Sequence, residues 1–126
     1  MILFGKFGSK KLRDLDFSSL IPAVEVAHDH GGNAGDVVLL VPRFRDPIFG
    51  RLIQPRLPAH KQYIKIPLDC RGSFIWALID GKRSILDLSR DFSEEFPEDS
   101  EQASKRISAY LHRMYENRFI RFVNLD

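Results

Sequence analysis

At 126 residues, with 44% apolar and 11% aromatic residues, the chain suits one domain with a hydrophobic core and excludes the disordered and fibrous classes. A single cysteine, Cys70, excludes a disulfide framework and a cysteine-based zinc site, and makes a reduced, cytoplasmic setting the expectation. The net charge of +2 hides an uneven spread: within residues 37–68, Arg43, Arg45, Arg51, Arg56, Lys61 and Lys65 face Asp46 alone.

In chain order, the opening MILFGKFGSKKLRDLDF carries too short an apolar run for a signal peptide, and no stretch of the chain is apolar for long enough to span a membrane. Ile2, Leu3, Phe4, Phe7 and Leu12 alternate with Lys6, Lys10, Lys11 and Arg13, which suits an amphipathic surface anchor. Its two glycines favour instead a tail packed on the domain. HDHGGNAGD, residues 28–36, reads as a mobile loop, so the expected organisation is a partly flexible N-terminal extension over 1–36 and a folded domain over 37–126.

Three β-rich runs follow, VVLLVPRF (37–44), RLIQPRL (51–57) and QYIKIPL (62–68), and their short connections predict an antiparallel meander. Pro42, Pro55 and Pro67 cannot donate to a ladder, which predicts a small sheet with irregular, exposed edges.

From residue 69 the apolar period changes to that of a helix. Asp69 is placed to cap a first helix burying Phe74, Ile75, Leu78 and Ile79, and Gly81 to stop it with a left-handed residue. Ser84 and Asp87 have capping-box spacing at the head of a second helix with Ile85, Leu88, Phe92 and Phe96 on one side. Asp99 or Ser100 then caps the longest helix, along Ala103, Ile107, Tyr110, Leu111 and Met114, with Asn117 as its stop. RFIRFV, 118–123, permits a short strand or an extended tail. The fold class expected is α+β, a small antiparallel three-stranded sheet followed by three helices, in a winged helix-turn-helix-like order.

Chemistry-bearing residues are sparse. His28 and His30 beside Asp29 could ligate zinc, but their spacing beside glycines fixes no geometry, and a solvated loop is the simpler reading. Cys70 at a helix start with His112 could form a nucleophile and base, yet no oxyanion donor or orienting residue can be assigned. SEEFPEDSEQ lacks the alternating oxygen ligands of a calcium loop. No phosphate loop, dinucleotide fingerprint or hydrolase serine motif occurs, so no catalytic residue, metal or cofactor is expected.

Two short helices and a longer third raise the possibility of DNA reading. The helix that would enter the groove opens PEDSEQ, and Glu98, Asp99 and Glu101 would repel phosphates, so nucleic acid is disfavoured. The basic residues of 37–68 together with an exposed edge suit a partner segment that adds a strand to the sheet.

LDCRGSFIWALIDGKRSILDLSRDFSEEF, followed by Ile107, Leu111, Met114 and then NRFI, resembles the PqqD family, the recognition element of systems that modify ribosomally made peptides. The resemblance rests on Leu68-Asp69, Ile75-Trp76, Leu78-Ile79-Asp80-Gly81, Ser84-Ile85 and Leu88, and extends over about residues 37–123. It implies a winged helix-turn-helix-like domain that takes a precursor's leader peptide as an added strand and presents it to a modifying enzyme, often a radical SAM protein. Carried onto this chain, the edge would be Tyr63, Ile64, Lys65 and Ile66, faced by Arg106, Tyr110 and Arg113. The expected function is a non-catalytic, peptide-binding adaptor or chaperone. The alternative is a winged-helix DNA-binding or regulatory protein. An edge strand also allows a homodimer.

Overall fold

In the computed structural model, which describes residues 17–125, a 3-10 turn at Phe17–Ser19 leads into strands β1 (Pro22–Val24), β2 (Ala27–Asp29) and β3 (Val38–Pro42). Two short helices follow, α1 (Pro47–Leu52) and α2 (Ala59–Gln62), then strand β4 (Tyr63–Pro67). Helices α3 (Cys70–Leu78), α4 (Ile85–Glu95) and α5 (Ala103–Glu116) come next, and β5 (Ile120–Phe122) closes the chain. The architecture is α+β, as expected, with a small antiparallel sheet and three helices after it. No described helix is long and apolar enough to cross a membrane. The apolar and basic residues of 1–16 lie outside the described residues.

The chain divides into two compact units. One is Val26–Ser73, built on an antiparallel sheet in the order β2-β3-β4. Its central strand β3 buries Val38, Leu39 and Val41, with Val37 beside them. The register pairs Leu39 with Ile66, Leu40 with Lys65 and Val41 with Ile64 on one side, and Leu39 with His28 on the other. Pro42 ends β3 beyond the reach of β2, which stops at Leu40, so its missing N–H leaves no gap in that ladder.

The sheet has three strands as expected, but their membership differs. RLIQPRL is helical, and Ala27–Asp29 supplies the third strand. Local chemistry explains the helix. The Asp46 carboxylate accepts the Ile48 and Phe49 N–H groups at 3.2 and 2.9 Å, and Pro47 presets φ in the first turn. Pro55 then opens a 3-10 turn at Gln54–Arg56. The Gln54 side chain ties this segment to the strand ends, accepting the Phe44 N–H at 2.9 Å and donating to the Gln62 carbonyl.

Among the described residues, the other unit is 17–25 with 74–125. Here β1 pairs antiparallel with β5, Ala23 opposite Arg121. Residues 19–25 are sewn in further by bonds from Ile85 N–H to the Leu20 carbonyl, Gly81 N–H to the Pro22 carbonyl, and Ile21 N–H to the Asn124 side chain. Leu20 is fully buried. Thus residues 17–29, read in the sequence as extension, contribute two strands and the core side chains Leu20, Ala23 and Val26. Each strand is three residues long, too short for periodicity to register.

The helix boundaries follow their caps. Asp69 accepts the Gly72 N–H at 2.7 Å at the head of α3. Ser84 and Asp87 form the full capping box of α4. The turn between them has Gly81 at φ 78°. Ile75, Trp76, Ile79, Ile85, Leu88, Phe92, Ala103, Ile107, Leu111 and Met114 are all buried. One cap differs from expectation: Pro97–Gln102 forms a 3-10 turn, and α5 begins only at Ala103 without a side-chain cap. Pro97 starts that turn, and the run of polar residues after it offers no apolar period to hold an α-helix there.

Candidate functional site

Strand β4 pairs with β3 alone among the described residues, so its other rim is one of the two edges of the sheet, β2 forming the other. Two bonds fix which residues face that rim. Arg43 N–H donates to the Gln62 carbonyl, and Leu68 N–H to the Val37 carbonyl, each at 2.9 Å. In an antiparallel ladder hydrogen-bonded and non-hydrogen-bonded pairs alternate. Ile64 and Ile66 therefore give their main-chain groups to β3, whereas Tyr63 and Lys65 turn their N–H and C=O outward. Pro67 has the same parity and presents only its carbonyl. Tyr63 and Ile64 are 41% and 43% exposed, Lys65 is exposed and Ile66 half-buried.

The Tyr63 end of this edge is anchored within its own unit. Arg43 donates through Nε to the Lys61 carbonyl at 2.7 Å, and Gln62 through Nε2 to the Leu57 carbonyl at 3.1 Å. The guanidinium of Arg43 is thus held at the strand end. Arg51, Arg56, Lys61 and Lys65 are exposed in the same unit.

Arg106, Tyr110 and Arg113 recur at i, i+4 and i+7 on α5, which puts them on one helical face in the other unit. Arg106 and Arg113 are exposed and Tyr110 is half-buried. Arg106 lies 3.3 Å from Asp99, so part of its charge is matched within the unit. Glu98, Asp99 and Glu101 line a cleft of about 130 Å³ with Gln102 and Arg106 at the head of α5. A larger cleft of about 380 Å³ is lined by serines, Arg90, Glu94, Glu101 and Ala103.

The remaining candidates resolve individually. His28 and His30 are exposed and stand edge to face at 5.4 Å; Asp29 accepts the Gly31 N–H at 2.9 Å. Among the described residues no three His, Cys, Asp or Glu side chains gather as a metal site would require. Cys70 is an exposed free thiol, and His112 lies 3.4 Å from Glu116 and 6.3 Å from the Phe17 ring. Asp80 accepts the Arg83 and Lys82 N–H groups, each at 2.9 Å, and these hold its carboxyl below the usual range.

The family model for coenzyme PQQ synthesis protein D matches residues 64–120, from β4 to the start of β5. Over that span, which is less than half of the chain, the sequence is similar to the PqqD family. The PqqD segment is shorter than the 37–123 read from motifs, and it contains Ile64, Lys65, Ile66, Arg106, Tyr110 and Arg113 while Tyr63 falls just outside. Strands β1 to β3 and the connection 43–62 also lie outside it. Comparisons with curated proteins and with solved structures gave no match.

Sequence reasoning found the edge but not its parity. The parity has no composition signature; it follows from where β3 and β4 enter the ladder.

Proposed function

We propose that this PqqD-like chain is a non-catalytic cytoplasmic adaptor that binds the leader segment of a precursor peptide by strand addition at β4 and presents it to a modifying enzyme, possessing no chemistry of its own. The observation that carries this reading is the outward main-chain groups of Tyr63 and Lys65 on an edge without a second strand. A guest backbone would exchange hydrogen bonds with those two residues. Pro67, lacking an N–H, would end the guest ladder. Side chains of Ile64 and Ile66 offer an apolar strip, and Lys65 with Lys61 near the Tyr63 end attracts acidic leader residues. The part assigned to Arg106, Tyr110 and Arg113 rests on the family resemblance. A radical SAM protein is the enzyme class the same resemblance favours as partner.

Calorimetric titration with the leader segment of any precursor peptide encoded beside the gene tests this. Ile64→Pro is a poor probe, because the Ile64 N–H belongs to the β3 ladder and its loss damages the sheet itself. Lys65→Pro removes an outward donor instead. The expected result is a loss of roughly tenfold or more for Lys65→Pro, with Lys65→Ala much closer to wild type. Equal affinity for both variants and wild type would remove strand addition at β4.

A further inference from the structure

Helix α1, Pro47–Leu52, is built inside out. At about 100° per residue, Ile48, Phe49, Leu52 and the C-cap Ile53 share one arc, and Gly50 falls on the opposite side. Gly50 is the residue that faces the protein: a Cβ there would stand 3.1 Å from the Phe44 carbonyl oxygen and 3.7 Å from the Arg45 Cα. On this arc Ile48, Leu52 and Ile53 are 64%, 53% and 36% exposed, and Phe49, whose ring meets that of Phe44 at 5.9 Å, is 49% exposed. Single exposed apolar residues are ordinary on any surface; four neighbours on one helical face form a patch that marks an interaction.

The charge around the patch has one sign. Arg43, Arg45, Arg51, Arg56 and Lys61 surround it in sequence, and the lone carboxylate, Asp46, is engaged as the cap of α1. Apolar side chains flanked by cations match the boundary of an anionic bilayer. The sequence of 2–13 has the same composition, with Ile2, Leu3, Phe4 and Phe7 among Lys6, Lys10 and Lys11.

We propose that residues 45–56 dock the chain peripherally on an anionic phospholipid surface, the arc of Ile48, Phe49, Leu52 and Ile53 entering the headgroup boundary while Arg51 and Arg56 pair with lipid phosphates. The segment lies outside the family span and outside the β4 edge, so this surface is independent of peptide binding.

Co-sedimentation of the full-length chain with vesicles tests the docking, using phosphatidylcholine alone and phosphatidylcholine mixed with phosphatidylglycerol. The expected result is at least about tenfold tighter binding to the anionic vesicles, released by molar salt. The double variant Ile48→Asn/Leu52→Asn loses binding to both, and Arg51→Glu/Arg56→Glu loses the preference for phosphatidylglycerol; far-ultraviolet circular dichroism establishes that both variants are folded. Absence of binding by the wild type overturns the proposal. So does unchanged binding by the folded Asn variant, which would transfer the effect to residues 1–16. A dimer seen by sedimentation velocity and abolished by the Asn variant would also overturn it, because a second copy would then occupy the patch.

Discussion

At the scale of single residues, hydrogen-bond donors and acceptors decide both stability and reach. Ser84 and Asp87 satisfy each other's main-chain N–H groups at the head of α4, at 3.2 and 3.0 Å. Ser84→Ala should therefore lower stability by about 0.5–2 kcal/mol in urea unfolding. Asp80 behaves differently because it is a titrating acceptor. The N–H groups of Arg83 and Lys82, then the Arg83 guanidinium, favour its ionised form and depress its pKa in the folded chain. Its contribution is fully present above the unfolded carboxyl pKa of about 3.9 and is lost as pH falls through the lower folded value. The difference in melting temperature between wild type and Asp80→Asn should be constant near neutrality and shrink below about pH 4. These residues were legible in advance, since capping boxes and Asp-Gly turns depend on neighbours in sequence. The outward parity of Tyr63 and Lys65 was not, since it depends on pairing with a strand more than twenty residues away.

At the scale of elements, the sequence misleads where local chemistry and hydrophobic pattern disagree. RLIQPRL has strand-like composition, yet Asp46, Pro47 and Pro55 together specify helical turns, and the Gln54 side chain fastens them. The end of α5 carries a different conflict. Arg118 N–H bonds to the Tyr115 carbonyl and Phe119 N–H to the Met114 carbonyl, a Schellman closure that places Arg118 at φ 60°. Left-handed backbone costs a residue with a Cβ about 1–2 kcal/mol, partly offset by glycine's larger entropy loss on folding. Arg118→Gly should accordingly stabilise the chain by about 0.5–1 kcal/mol, read as a higher urea midpoint with an unchanged slope. The Asn117 stop was legible; the residue after it was not, because arginine gives no signal of a left-handed position.

At the scale of the whole molecule, each unit has its own interior, Leu39 at the centre of one and Leu111 of the other, both fully buried. Leu111→Ala should cost about 2–5 kcal/mol by leaving a cavity beneath α5. The helical half of the fold was readable from periodicity, as were the strands 38–42 and 63–67. The entry of residues 22–29 into both sheets was hidden by strands of three residues. The PqqD match begins inside β4 at Ile64, so it takes in Lys65 of the open edge and leaves out Tyr63. The central claim, that this edge receives a guest backbone, is tested most directly by amide hydrogen exchange along β4 with and without the precursor peptide. The account predicts that Ile64 and Ile66 are already protected in the free chain and that Tyr63 and Lys65 gain protection only on binding. Protection unchanged at Tyr63 and Lys65 while the peptide is bound would contradict it.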